Sequence, residues 1–374
     1  MVIWVIGRNY PLPDNDMQGS FELEQAKMLA RYGNEVNYLA CSLHPTKRIK
    51  GSGIQSWDDE GVKVTVLSAL FAPRVYPIYF VKGRNKQWMK LFSAVEEKSG
   101  LPDVIHVHYP SMLMIADVIK GYHDKGVRVV ATEHWTKVLG KKLDSIELKE
   151  YKKYSNVLDR MICVGSPLTR SVKELIGMDG EVIPNIVNDL FKPTNKEHEE
   201  FRFLAVGRLV KLKQFDKIIV AFCDCFLGQK DITLTIIGGG EEKENLQKIV
   251  AARQAEGQVK LLGSQTREKT AEYMANSDNL ICYSTFETFG VPIIEAWACG
   301  LTTTTTTTAA AVIDNFDERL GVEVDYRDFD GLKKALKYIY EHRAEYEKEF
   351  ISTYAKTHFS EDVVCNRLMQ IYSS

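Results

Sequence analysis

Apolar residues nowhere run unbroken toward the eighteen or so that a membrane-spanning helix needs, so any membrane contact is expected to be peripheral. No two of the seven cysteines form a CxxC pair. Scattered through apolar segments, they suit reduced intracellular thiols better than a disulfide frame or a zinc site. Charge of one sign is also lacking, since 48 Lys+Arg face 50 Asp+Glu and leave a net charge of −2, a balance that does not suggest a nucleic-acid binder. No repeat of fixed period occurs, and low complexity is confined to Thr302–Thr308 followed by Ala309–Ala311. The opening VIWVIG is short and has no basic flank, unlike a signal peptide, so the expected location is cytoplasmic.

A chain of 374 residues, 45% apolar, exceeds the usual range of one domain. Short β-rich runs alternate with amphipathic stretches: VIWVI (2–6) then Phe21–Arg31, VNYLA (36–40), VKVTVL (62–67), VIHVH (104–108) then Met112–Tyr122, VRVVAT (127–132), MICV (161–164) and EVIP (181–184). The rhythm restarts with FRFLAVG (201–207), a helix through Lys213–Phe226, ITLTIIGGG (232–240), a helix near Glu244–Arg253, VKLLG (259–263), NLICYS (279–284) and a helix from Pro292. Such alternation predicts an α/β protein with two doubly wound, Rossmann-like domains, 1–184 and 185–358, joined within the polar stretch 184–200. Ligands of open α/β sheets bind beyond the carboxyl ends of the strands, so two sheets facing each other would hold a bipartite ligand in a cleft.

The stretch FETFGVPIIEA places Glu287 and Glu295 eight residues apart around Gly290 and Pro292. Glycine permits a turn and proline favours the first helical position, so Glu287 is expected in a loop and Glu295 in the first turn of a helix. Backbone N–H groups of about Gly290–Ile294 then project from a helix start, which attracts an anion such as phosphate. Two carboxylates beside an anion site suit hydroxyl groups of a sugar or ribose, held by charge-assisted hydrogen bonds. Upstream, strand FLAVG ends in Gly207-Arg208, with Lys211 and Lys213 following, cations where a diphosphate would need them.

GRLVKLK (207–213), IIGGGEEKENL (236–246), VKLLG (259–263) and STFETFGVPIIEAWACG (284–300), in that order, resemble the donor-binding half of retaining glycosyltransferase family 4, whose architecture is named GT-B. The front half is similar more weakly, through VIWVIGRNYPLPDNDMQGSFELEQAKMLARYGNEV (2–36), DVIHVHYP, ATEHW and VIPNIVNDLFKP. The resemblance implies that Arg208 and Lys213 bind the diphosphate of a nucleoside-diphosphate sugar and Glu287 holds hydroxyls of the transferred sugar. Phe289, Gly290 and Val291 would present N–H groups, and Glu295 would take the ribose. The strand end around Gly263 would frame the base, Gly207 would close the phosphate loop, Gly19 would let backbone approach the phosphates, and His134 would sit near the reacting sugar. A last helix, 359–374, would cross back to the first domain, with Ser360 as its cap. The implied reaction is retaining transfer of a hexose-type sugar to a glycan or lipid-linked glycan, as in surface polysaccharide synthesis, without metal or cofactor. The chain departs from the family at Gln18 and Gln214, where glycine is usual, and at Thr302–Thr308, where relatives carry a strand and a glycine-containing loop.

Other signals are weaker. His106 and His108 share a strand face, as a metal pair would, but no further ligands cluster with them in sequence; His108 lies nearer the strand's functional end. Asp14-Asn15-Asp16 spells a DxD inside a Pro-flanked loop and reads as solvated. Residues 71–92 carry five cations and no acid, which suits either an anionic membrane surface at the inner face of the membrane or an ordinary surface loop and helix. A nucleotide-sugar epimerase or hydrolase, or a non-catalytic nucleotide-sugar binder, stays open as an alternative; oligomeric state is not legible.

Overall fold

The apolar runs become the strands of two sheets in a computed structural model that describes residues 1–12, 18–44, 53–70, 77–194 and 198–374. The Asp14-Asn15-Asp16 triplet and residues 71–76 of the basic stretch lie outside the described residues. Two units form: Met1–Ile183 with Cys365–Ser374, and Pro184–Val364.

The first unit holds β1 (Val2–Gly7), β2 (Glu35–His44), β3 (Gly53–Asp59), β4 (Val62–Leu70), β5 (Val104–His108), β6 (Arg128–Glu133), β7 (Arg160–Cys163) and β8 (Gly180–Val182). Their order is β3-β4-β2-β1-β5-β6-β7-β8, and all neighbours are parallel except β3 and β4. A central parallel strand is covered on both faces, so β1 needs its continuous apolar run. Trp4 on β1 lies 5.5 Å, ring centroid to centroid, from both Phe92 and Tyr122, tying helices Pro77–Ser99 and Ala116–His123 to the sheet. Helix Pro77–Ser99 buries Trp88, Leu91 and Phe92 and exposes Lys82, Lys86 and Lys90. Segment Cys365–Ser374 is fixed within this unit by a hydrogen bond from Arg367 to the Val182 carbonyl and by Tyr372, whose hydroxyl meets His106 Nδ1 at 2.6 Å.

The second unit holds β9 (Phe201–Val206), β10 (Ile232–Ile237), β11 (Val259–Gly263), β12 (Asn279–Cys282), β13 (Thr302–Thr306) and β14 (Gly321–Val324), all parallel, in the order β11-β10-β9-β12-β13-β14. Phe203, Phe222 and Phe226 centre its core. Strand order reverses between β1 and β5 in one sheet and between β9 and β12 in the other, the points where open sheets leave a crevice for ligands.

The threonine run has a physical explanation here. Strand β13 lies inside the sheet, buried along its whole length, and four of its five hydroxyls are hydrogen-bonded. Thr302 donates to the Asp278 carbonyl (3.0 Å), Thr303 accepts from Trp297 Nε1 (3.1 Å), Thr304 donates to Asn279 Oδ1 (3.1 Å) and Thr306 donates to the Ser284 carbonyl (2.9 Å). Only the Thr305 hydroxyl, among the described residues of this strand, is buried without a partner. Threonine supplies the β-branched shape a strand favours, and its polar atom costs little once bonded.

Three local expectations change. Strand β3 is an additional antiparallel edge strand. The helix expected over Met112–Tyr122 is two helices, Pro110–Leu113 and Ala116–His123, because Met114 adopts a left-handed φ of 52°. Arg84 donates from Nη1 to the carbonyls of Met112 (2.7 Å) and Leu113 (3.0 Å), and Tyr154 accepts the Ile115 N–H (3.0 Å), so the break leaves these groups bonded. The helix expected from Lys213 begins at Phe215, after a 3-10 turn over Lys211–Lys213 and Gln214 at φ 50°. Gln214 holds this left-handed position, which glycine adopts most readily, by donating Nε2 to the Tyr283 carbonyl at 3.1 Å.

Candidate functional site

In the second unit the candidate residues gather at the carboxyl ends of β9 and β12. Strand β9 stops at Val206, Gly207 turns the chain, and the Gly207 N–H donates to the Ile237 carbonyl at 3.0 Å. Arg208 follows with its side chain exposed. Lys213, at the end of the 3-10 turn, forms an ion pair with Glu287 from the loop after β12; their side chains are 18% and 16% exposed. Sequence reasoning gave these two residues separate partners in a ligand; in the structure they pair with each other. Burial pulls the Lys213 ammonium down, but the Glu287 carboxylate outweighs it and holds the lysine above its usual range, with the Arg208 charge opposing. Two cations and one carboxylate leave this corner with an excess positive charge for an anion.

Helix Val291–Ala298 starts beside that pair. Gly290 has φ 95°, and a Cβ there would lie 2.9 Å from Ile293 Cδ1 and 3.2 Å from Ala309 Cβ, so only glycine fits the turn. Among the described residues the backbone N–H groups of Phe289, Gly290 and Val291 make no hydrogen bond. They are the donors a helix start offers to an anion. Glu295, expected in the first turn, lies in the second, because the helix already begins at Val291; it is 7% exposed and accepts from Arg267 Nη2 at 3.2 Å. Burial, with the Glu295 carboxylate nearby, pushes the Cys299 thiol up to about 12. Gly263 ends β11, and its carbonyl accepts the Gly238 N–H at 2.9 Å.

In the first unit the corresponding position, beyond β1 and β5, holds a stack. The Arg8 guanidinium lies 3.7 Å from the Tyr109 ring centroid, Tyr109 stacks on His134 at 4.7 Å, His134 on His108 at 5.2 Å, and His108 on His106 at 4.4 Å. Arg8 Nε also donates to Glu22 Oε1 at 2.7 Å, and Glu22 is fully buried. Tyr109 takes a left-handed φ of 53°, a conformation non-glycine residues hold mainly where surrounding structure enforces it. Below the stack, Glu133 accepts the N–H groups of His134 and Trp135, each at 2.9 Å; burial raises its carboxyl above the usual range against those bonds. His106 has both ring nitrogens engaged, with Tyr372 and with Thr132 Oγ1 at 2.6 Å. Gly19 precedes helix Ser20–Arg31 at φ 97°, and a Cβ there would sit 1.9 Å from the Asn9 carbonyl oxygen. Its glycine is therefore required by the loop itself.

Arg8, Glu22, Tyr109 and Arg267 were not expected from sequence. Arg8 had a usable signal: it follows the glycine ending β1 as Arg208 follows the glycine after β9. Arg267 had none, since its contact with Glu295 bridges 28 positions.

Residues 20–189 match the family described as Glycosyltransferase Family 4, and residues 187–357 match Glycosyl transferases group 1. Among curated proteins the chain is 26% identical over 215 residues to the phosphatidylinositol N-acetylglucosaminyltransferase GPI3 subunit of Saccharomyces cerevisiae, covering 53% of this chain and 46% of the relative. It is 26% identical over 214 residues to the N-acetyl-alpha-D-glucosaminyl L-malate synthase of Bacillus anthracis, covering 53% of this chain and 55% of that one. The chain thus spans about half the length of these curated relatives. Among solved structures, the sucrose-phosphate synthase of Thermosynechococcus elongatus superposes with a TM-score of 0.78 at 19% identity, covering 100% of this chain and 98% of that one. Anabaena Alr3699/HepE, solved in complex with UDP, gives 0.74 at 14% identity, covering 100% and 99%. Sheet order, chain-wide superposition and the two adjoining family matches agree that this chain belongs to the GT-B glycosyltransferases, its first half in Glycosyltransferase Family 4 and its second in Glycosyl transferases group 1.

Proposed function

We propose that the protein transfers a hexose-type sugar, with retention of configuration and without a metal ion, from a nucleoside-diphosphate sugar to a glycan or lipid-linked glycan acceptor in surface polysaccharide synthesis. The observation that carries this reading is the grouping of Arg208, the Lys213–Glu287 pair and the unbonded N–H groups of Phe289, Gly290 and Val291 at one strand-order reversal. Cleaving a sugar–diphosphate bond leaves negative charge on phosphate, and fixed cations with backbone dipoles stabilise that charge as it develops. Arg208 and Lys213 are assigned to the diphosphate, Glu287 to hydroxyls of the transferred sugar, Glu295 to the ribose and Gly263 to the edge of the base. In the first unit His134 is assigned to the sugar. The complex of Anabaena Alr3699/HepE with UDP-glucose supports a nucleotide sugar as the donor here. Contact of residues 71–92 with an anionic membrane surface that carries a lipid-linked acceptor belongs to the same reading.

Thermal unfolding against UDP-, GDP- and ADP-sugars, with EDTA present, tests it. A ligand binding the folded state raises the midpoint by mass action. One nucleotide series is expected to raise it for the native protein and fail with Arg208→Ala. No shift with any nucleotide would refute the donor site. Turnover of the stabilising donor without acceptor would favour the hydrolase or epimerase, and binding without turnover the non-catalytic binder.

A further inference from the structure

The stack in the first unit contains one atom its other contacts do not explain. His108 is 1% exposed, and among the described residues its Nε2 is buried with no hydrogen-bond partner. Its Nδ1 faces His134 Nε2 at 3.0 Å. Burial holds both imidazoles well below the ordinary histidine range, helped by the Arg8 charge, so both rings are neutral near pH 7. A neutral imidazole has one N–H and one bare nitrogen, so a hydrogen bond between two such rings has two possible arrangements.

In one, His134 Nε2 carries the proton and donates to His108. His108 must then carry its own proton on Nε2, a buried N–H with nothing to accept it. In the other, His108 Nδ1–H donates to His134 Nε2, and the atom left without a partner is a bare nitrogen. Orphaned buried N–H groups are rarer in native proteins than under-used acceptors, which selects the second arrangement. The stack keeps the rings from turning away: His106, with both nitrogens engaged, covers one face of His108, and Tyr109 covers one face of His134. His134 itself retains 9% exposure.

We propose that His108 is a positioning residue that fixes His134 as its Nδ1–H tautomer, so that His134 offers a hydrogen-bond donor to an oxygen of the transferred sugar. This rests on the assignment of His134 to the sugar. It also excludes His134 as a base, because its bare nitrogen is occupied by His108.

The test is a long-range proton–nitrogen correlation spectrum of the protein labelled with nitrogen-15 in its eight histidines, with His134→Gln used to assign the His134 signals. In the native protein the His134 Nδ1 is expected to give a protonated, pyrrole-type signal and Nε2 a bare, pyridine-type one. In His108→Leu the His134 signals move toward the Nε2–H form that free histidine prefers, and kcat for sugar transfer falls about tenfold, the scale of one hydrogen bond, with the donor KM unchanged. A native spectrum with the proton on His134 Nε2, or with both nitrogens protonated, overturns the proposal, and this result needs no variant to fold. An unchanged His134 signal in His108→Leu also overturns it. The spectrum requires no donor, so failure of the donor site in the unfolding experiment is a separate result.

Discussion

Replacing Glu287 by glutamine removes the charge that Lys213 faces. The pair is about four-fifths buried on each side. Exposed pairs contribute about 0–1 kcal/mol and breaking a fully buried one costs about 3–5 kcal/mol, so Glu287→Gln is expected to cost about 2 kcal/mol. In a domain of this size that is a fall in Tm of about 4–8 °C. The pH dependence follows from the raised lysine. The ammonium titrates above its ordinary value of 10.5 in the folded protein, so the pair's contribution is fully present below that value and is lost as pH rises through the folded one. Urea unfolding of native and Glu287→Gln proteins should therefore show a constant gap between pH 7 and 9 that closes above about pH 10.5. Glutamine also frees Lys213 for phosphate, and titration calorimetry should find the nucleoside diphosphate of the stabilising series bound about tenfold more tightly while sugar transfer is lost, a gain on the scale of one charge-assisted hydrogen bond. A stability gap below about 0.5 kcal/mol near pH 8, the level of an ordinary surface substitution, would refute the reasoning, as would one that persists unchanged at high pH.

Thr303→Val leaves Trp297 Nε1 without its acceptor and is expected to cost about 1–3 kcal/mol, while Thr305→Val removes a hydroxyl that has no partner and is expected to be neutral or stabilising; urea midpoints of the two variants compare them directly. Gly19→Ala forces the loop from Asn9 to move and strains a left-handed residue, for an expected loss of about 2–3 kcal/mol in the same assay. Arg267→Ala takes the guanidinium from the largely buried Glu295 and is expected to lower Tm by about 2–8 °C in calorimetry, from a cost of about 1–2 kcal/mol.

Strands with continuous apolar runs, such as β1 and β5, were legible because a parallel strand covered on both faces leaves no other pattern available. Strand β3 was not, since GIQSWDD lies at a sheet edge, exposes its middle residues and shows neither an apolar run nor clean alternation. The break at Met114 depends on Arg84 and Tyr154, residues 30 and 40 positions away that no local window includes. At the candidate site, Arg208, Lys213 and Glu287 stood out in the sequence because each lies in the segment after a strand, and Glu295 because a glycine and a proline mark the start of its helix. It did not show that Lys213 and Glu287 meet, or that Arg267 reaches Glu295, because these pairings arise only when β9, β12 and their connecting helices are packed. The histidine stack was half legible: the alternation of His106 and His108 put them on one face, but His134 joins them only through the alignment of β5 with β6.

The threonine strand has a consequence for how the second sheet finds its alignment. In most strands a slip of one residue exposes apolar side chains and buries polar ones, and this penalty selects the correct pairing. Along Thr302–Thr306 a slip places threonine where threonine already was, on either face, so side-chain pattern cannot report the error. Correct alignment then depends on side-chain hydrogen bonds that recognise individual positions, from Trp297 to Thr303 and from Thr304 to Asn279, and on the flanking Leu301 and Ala309 as end stops. Without those few contacts, the native sheet and its slipped neighbours would be nearly equal in energy.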